Sequence, residues 1–239
     1  MRLKRLSAKR SKRSLKQFEV YECLRSALLD GRFRPGSILS IRKIAAQLRT
    51  STMPVRAAIA RLVSEHALEM LSNHGVRVPI LTRARAHEIY EARFALEGLA
   101  AANAASHMDP ATLLELEEIQ RRLERSARKS DIGQMLTLNL QFHFALIRAA
   151  RSETLVSLTN TLYLQWVPTL LVAMEGMQTA RPEFIHTHHE SILEGLRSRD
   201  ARLARSALEK DLSDFKSDGF FVCTSDDQRG LPDSQTKRP

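Results

Sequence analysis

Hydrophobic positions recur at helical spacing along almost the whole chain, with one interruption between residues 67 and 79. Residues 15–30 place Val20, Leu24, Ala27 and Leu28 on one face, and Gly31 stops the run. FRPG at 33–36 predicts a turn. Ser40 caps a short helix through Leu48, with Ile41, Ile44, Ala45 and Leu48 inward. A third helix begins near Thr52–Pro54, since proline is compatible with a first turn, and runs to about His66, burying Val55, Ile59, Leu62 and Val63. EML and VRVPI, either side of SNHG, predict two short strands joined by a turn. After Pro79 the period is helical throughout, in six helices at about 84–106, 109–129, 131–150, 153–177, 181–198 and 200–217. The connections between them are two or three residues long, which makes sequential helices antiparallel neighbours.

These patterns predict a mainly α protein with a winged helix-turn-helix at residues 15–80 and an all-helical antiparallel bundle at 84–217. A basic disordered arm (1–14) and a polar, disordered tail (222–239) are expected at the ends. Nine glycines and eight prolines are few for 239 residues, and an apolar fraction of 43% is enough for a packed core. No apolar run approaches the roughly 18 residues of a membrane span, and the basic N-terminus lacks the apolar stretch of a secretory signal. Cys23 and Cys223 stand far apart without motif spacing, which fits a cytoplasmic protein and not a disulfide framework.

Charge changes the picture at one end. The net charge is +10, and the first 16 residues carry eight Lys or Arg and no acid. Such an arm seeks phosphates, because neutralising them releases counterions. In the third helix the apolar face leaves Arg56, Ala57 and Ala60 outward, with Arg61 on the flank. An arginine there suits a guanine edge or a phosphate, and small neighbours let the helix approach the bases.

In the helical region, polar groups occupy positions where apolar ones would pack better. His143, in NLQFHFALI, shares an arc with Leu136, Ile147 and Ala150. His189 shares a face with Ile185, Ile192 and Leu196, flanked by His186 and His188. Asp211 shares one with Ala204, Leu208 and Phe215. The turn at Arg199–Asp200 sets His189 and Asp211 level in an antiparallel hairpin, and Asn139 lies one turn before His143. Each is either a core polar residue with a bonded partner or a ligand to a metal or small molecule. An unpaired one costs about 1–3 kcal/mol. Arg93 lies on a stripe with Ile89, Leu96 and Ala100, and offers either a bidentate anchor for a small carboxylate or an internal ion pair with Glu97. Tyr163 and Trp166 either line a pocket or simply pack. Two function classes follow: a ligand-responsive DNA-binding repressor, or a metal-dependent hydrolase built on His143, His189 and Asp211. The hydrolase lacks a second acid/base pair at suggestive spacing and leaves the wing domain without a role.

The stretch VYECLRSALLDGRFRPGSILSIRKIAAQL…MPVRAAIARLVSEHALEMLSNHGVRV resembles the DNA-binding domain of the GntR family of bacterial transcription regulators. ALLDGRFRPGSILS, the PVR opening of the third helix and HGVRV carry the likeness. The helical remainder resembles the FCD sensing domain of the FadR-type branch. The resemblance implies a homodimer on double-stranded operator DNA, with contacts from Arg42, Arg56 and the wing-tip His74 and Gly75. Thr52 stands where the family usually has an arginine, Met53 replaces a threonine, and Ala57 replaces a glutamate. One large class of FCD domains holds a divalent metal with an Asp and three His. Matching D-x-x-x-H puts Asn139 at the Asp and His143 at the first His, with His189 the second and Asp211 at the third. One carboxylate and two imidazoles suit a divalent transition metal such as zinc, nickel or manganese, and an Asn oxygen is the weaker ligand. The implied effector is a small organic acid contacting Arg93, Asn139, His143 and His189.

Overall fold

The computed structural model describes residues 7–72, 75–178 and 188–217. The chain opens with α1 (Ser7–Leu29), which reaches back into the stretch expected to be a disordered arm. No glycine or proline interrupts residues 7–30, so nothing breaks the helix before Gly31, whose φ of +66° ends it. Val20, Tyr21, Leu24 and Leu28 form its buried stripe, and Ala27 lies at the margin. Next come β1 (Ile38–Leu39), α2 (Ile41–Gln47), α3 (Thr52–Ser64), β2 (Glu69–Met70) and β3 (Val76–Arg77). Ser40 caps α2, accepting from Lys43 N at 3.4 Å. The sheet has the order β1-β3-β2, antiparallel throughout. β1 has no counterpart in the pattern reading, because two residues are too few for an alternation to register.

α3 buries Val55, Ala58, Ile59 and Leu62 against α1 and α2. The last of its expected inward residues, Val63, is only half-buried. Val76 and Val78 close the same core from the wing side.

Six helices follow: α4 (Arg83–His107), α5 (Pro110–Arg128), α6 (Ile132–Ala149), α7 (Glu153–Gln178), α8 (His189–Arg197) and α9 (Ala201–Ser217). The expected start of α8 near residue 181, and with it Ile185 and His186, lies outside the described residues. Side chains start five of the six: Thr82 caps α4, Asp109 caps α5, Asp131 caps α6, Ser152 caps α7 and Asp200 caps α9. Tight reversals after α5, α6 and α8 each hold one residue at positive φ, Ser130, Arg151 and Arg199. α4 is the axis of the bundle, packing on α6, α7, α8 and α9. The two cores meet along α7: Leu164 belongs to the N-terminal cluster, and Leu29 of α1 packs against both.

α8 and α9 approach closely because Gly195 has no side chain. A methyl group there would stand 2.5 Å from Ala204 N and 2.7 Å from Ala204 Cα. Gly195→Ala should therefore pry the hairpin apart and lower unfolding free energy by about 1–3 kcal/mol, read from urea denaturation. An unchanged midpoint would show that the hairpin can yield at no cost.

Candidate metal and effector site

Four helices deliver the polar residues expected at inward positions, and all of these residues are buried. Arg93 comes from α4, Asn139 and His143 from α6, His189 from α8 and Asp211 from α9. His143 Nε2 lies 3.3 Å from Asp211 Oδ2, and His189 Nε2 lies 3.8 Å from Asp211 Oδ1. The antiparallel α8–α9 hairpin does set His189 and Asp211 side by side. Donor atoms of His143, His189 and Asp211 all fall within 4.8 Å of one another.

The far side of each imidazole is held as well. His189 Nδ1 faces Gln120 Oε1 at 2.9 Å. The Gln120 amide orientation follows from its Nε2, which donates to Glu124 at 3.0 Å, so the oxygen is the atom turned to the ring. His189 also stacks on Phe142, ring centroids 4.0 Å apart and 8° from parallel. His143 Nδ1 lies 3.2 Å from Glu97 Oε2, near enough for strong attraction but without hydrogen-bond alignment. The Gln120 amide oxygen only accepts, so His189 Nδ1 carries hydrogen and its Nε2 is turned to Asp211, whereas His143 sets a ring nitrogen against a carboxylate on each side, Nδ1 towards Glu97 and Nε2 towards Asp211. Holding Nδ1 in this way is how outer partners orient histidines that bind metals.

Glu97 proves to be a centre of the site, although the sequence marked it only as a possible partner for Arg93. Arg93 Nε donates to Glu97 at 2.6 Å and one Nη donates to Tyr163 Oη at 3.0 Å, while Tyr163 donates to Glu97 at 2.8 Å. Of the two readings of Arg93, the structure contains the internal ion pair. Its guanidinium also lies 4.5 Å from the Tyr163 ring centroid and 5.3 Å from that of Trp166. The expected stripe through Leu96 is shifted by one position: Glu97 is fully buried, and Leu96 only half. Gln120 was also missed, although it sits on a stripe with Leu116, Ile119 and Leu123. The helical-wheel test that found His143 would have found it.

Burial opposes every charge here, and the charges answer by pairing. Burial raises the Glu97 carboxyl, but Arg93 and then His143 outweigh it and leave it below the ordinary range. Asp211 is likewise depressed against its burial, by His143 and His189. Burial lowers His143, yet Asp211 and Glu97 together hold it up at about 9. The metal-free site is therefore Arg93 and His143, positive, against Glu97 and Asp211, negative. Asn139 Oδ1 and Asp211 Oδ2 are buried and make no hydrogen bond, which suits a cation as their missing partner. The donor set of His143, His189 and Asp211 thus fits a divalent metal, and Asn139 lies one turn before His143 on α6.

On the N-terminal domain, Arg42, Thr52 and Arg56 are exposed, as are Met53 and Ala60, while Ala57 and Gly75 are half-buried. Arg42 stands in the first turn of α2; Thr52 and Arg56 occupy the first turns of α3. His74 lies outside the described residues. Arg61 is engaged by its own domain, stacked 3.6 Å from the Tyr21 ring centroid and paired with Glu65 at 3.0 Å. Arg77 and Glu69 pair across the wing at 2.6 Å.

A three-helix winged module joined to a helical bundle with a buried polar site defines the class of DNA-binding transcription regulators. Residues 16–78 match the family described as "Bacterial regulatory proteins, gntR family", and residues 88–214 match the FCD domain. The chain belongs to the GntR family, in the branch that carries an FCD domain. It is 30% identical to the HTH-type transcriptional regulator McbR of Escherichia coli K12 over 80% of this chain and 86% of that one. It is 24% identical to the gluconate operon transcriptional repressor of Bacillus licheniformis over 80% of this chain and 79% of that one. The solved structure of E. coli McbR/YncC superposes with a TM-score of 0.74 at 28% identity, over 83% of this chain and 94% of that one. These relatives are transcription regulators and not enzymes, so the hydrolase reading of His143, His189 and Asp211 is set aside. No described helix is long and apolar enough to cross a membrane.

The charge balance ties the stability of the helical domain to Arg93. Arg93→Ala should cost about 3–5 kcal/mol of stability, because it strands Glu97 in a buried site. Adding Glu97→Gln should recover a large part of that loss, since His143 and Asp211 still balance. Denaturant unfolding of the two variants checks this, and equal stability of single and double variants would contradict it.

Proposed function

We propose that this chain is a repressor that binds two-fold operator DNA as a homodimer and responds to a small organic acid seated with a divalent transition metal in the helical domain. The observation that carries the reading is the convergence of two imidazole Nε2 atoms on Asp211, with each Nδ1 engaged on its far side. A bound divalent ion would supply a Lewis-acidic seat for a carboxylate. His143, His189 and Asp211 would hold it, with Asn139 as a weaker fourth donor.

Charge argues for an anionic effector. With His143 neutral as a ligand, a divalent ion and Arg93 exceed Glu97 and Asp211 by one positive charge. A buried excess is costly unless compensated, and one carboxylate compensates it. Arg93 is the second anchor in this reading, although its Nε and one Nη are already engaged. A relative named for a gluconate operon, gluconate being a hydroxylated carboxylate, agrees with that ligand chemistry.

The metal reading is tested by elemental analysis and calorimetry on variants. His189→Ala should abolish binding of zinc or nickel, whereas Asn139→Asp should tighten it by adding an anionic oxygen. A wild-type protein that takes up neither ion would refute the metal role and leave His143 as a polar pocket residue.

On the DNA side, Arg42, Thr52, Arg56, His74 and Gly75 form the proposed contact set. Arg56→Ala should weaken operator binding by about 1–3 kcal/mol and relax base preference, through loss of a base-edge contact. Deleting residues 1–6 should instead weaken binding to all sequences and flatten its salt dependence. Salt titrations on specific and random duplexes separate the two. Equal losses on both duplexes for Arg56→Ala would mark it as a phosphate contact.

A further inference from the structure

Three consecutive residues of α7 meet three different neighbours. Tyr163 turns into the buried charged site, bonding Glu97 and Arg93. Leu164 turns the other way and completes the core of the N-terminal domain. Gln165, only 7% exposed, ties the two domains together. Its Nε2 donates to the backbone carbonyl of Glu65 at 3.1 Å, and its Oε1 accepts from Arg85 at 3.0 Å.

Both partners are strategic. Glu65 closes α3, where helix carbonyls have no intrahelical donor. Its carboxylate in turn accepts from Tyr21 at 2.9 Å and from Arg61 at 3.0 Å, so the end of α3 is fixed from two sides. Arg85 lies in the first turn of α4, the helix that carries Arg93 and Glu97 two to three turns later. Gln165 therefore joins α3, α4 and α7 at one point, and α4 and α7 are locked again at the Arg93–Glu97–Tyr163 triangle. The Arg93–Glu97–Tyr163 triangle and the Gln165 bonds thus lie on the same pair of helices, and only the latter extend to the end of α3. One turn back, Arg25 of α1 donates to Asn160 at 3.0 Å and holds the same seam closed.

We infer that Gln165 is a positioning residue that couples the state of the buried site to the end of the DNA-recognition helix. The inference rests on reading that site as the effector seat. Removing the amide should uncouple the two ends without emptying either one.

The test uses the full-length protein, zinc ion alone as the probe, and hydrogen exchange followed by mass spectrometry. In wild type, zinc should slow exchange in α6 and α9 and also shift exchange at residues 61–68. Gln165→Leu, which removes both bonds, and Gln165→Glu, which keeps an acceptor for Arg85 but cannot donate to Glu65, should retain the first response and lose the second. A response at 61–68 that persists in both variants overturns the inference. So does a wild type in which α6 and α9 respond and 61–68 does not. If zinc leaves α6 and α9 untouched, the metal reading fails by itself, and Tyr163→Phe then supplies the perturbation. Its shift at 61–68 must be present with Gln165 and absent with Gln165→Leu. No shift, or equal shifts in the two backgrounds, overturns the coupling.

Discussion

Two positive and two negative groups with almost no access to water set the terms for the helical domain. Arg93, Glu97, His143 and Asp211 are each no more than 5% exposed. Desolvating any one of them alone would be prohibitive, so each is paired: Arg93 with Glu97 within α4, and His143 with Glu97 and Asp211 across helix boundaries. That requirement fixes how α4, α6 and α9 sit against one another, and Tyr163 extends it to α7. Packing of the alanines along α4 permits many small adjustments, whereas a salt-bridged hydrogen-bond network tolerates few. His143 sits between the two acids, with Glu97 at one edge of its ring and Asp211 at the other.

The second constraint is the seam between domains. In a two-domain regulator, loose tethering would let the DNA-binding half ignore the sensing half. Here Leu164 is shared with the N-terminal core, Arg25 bonds Asn160, and Gln165 bonds Glu65 and Arg85. The seam combines apolar packing of Leu164 and Leu29 with directional bonds. This geometry gives the FCD and GntR modules a physical reason to act as one unit.

Much of the site was legible because a polar residue on an apolar helical face is conspicuous. His143, His189, Asp211, Asn139 and Arg93 all stood out in this way, and the length of the α8–α9 hairpin was enough to pair His189 with Asp211. Glu97 and Gln120 were not singled out as site residues. Glu97 lies one position off the stripe drawn through Leu96, and a helical wheel cannot decide which of two adjacent residues turns inward when the helix is buried on several sides. α4 packs on four other helices, so its buried arc is wide and its periodicity correspondingly blunt. The short strand at Ile38–Leu39 escaped for a different reason, since its identity lies in its pairing with β3 and not in its own two residues.

The amino-acid sequence by itself determined the helices and the two wing strands, their order, and the family to which they belong. Helical period, capping residues and short connections are local properties, and local energetics suffice to express them. Which imidazole nitrogen faces Asp211, and that Arg93 already spends two nitrogens on Glu97 and Tyr163, were decided only by the tertiary structure. So was the role of Gln165, whose partners lie 100 and 80 positions away in the chain. Hydrogen bonds and ion pairs are directional and depend on tenths of an ångström between helices. No residue pattern encodes that spacing until the packing of the whole bundle has set it.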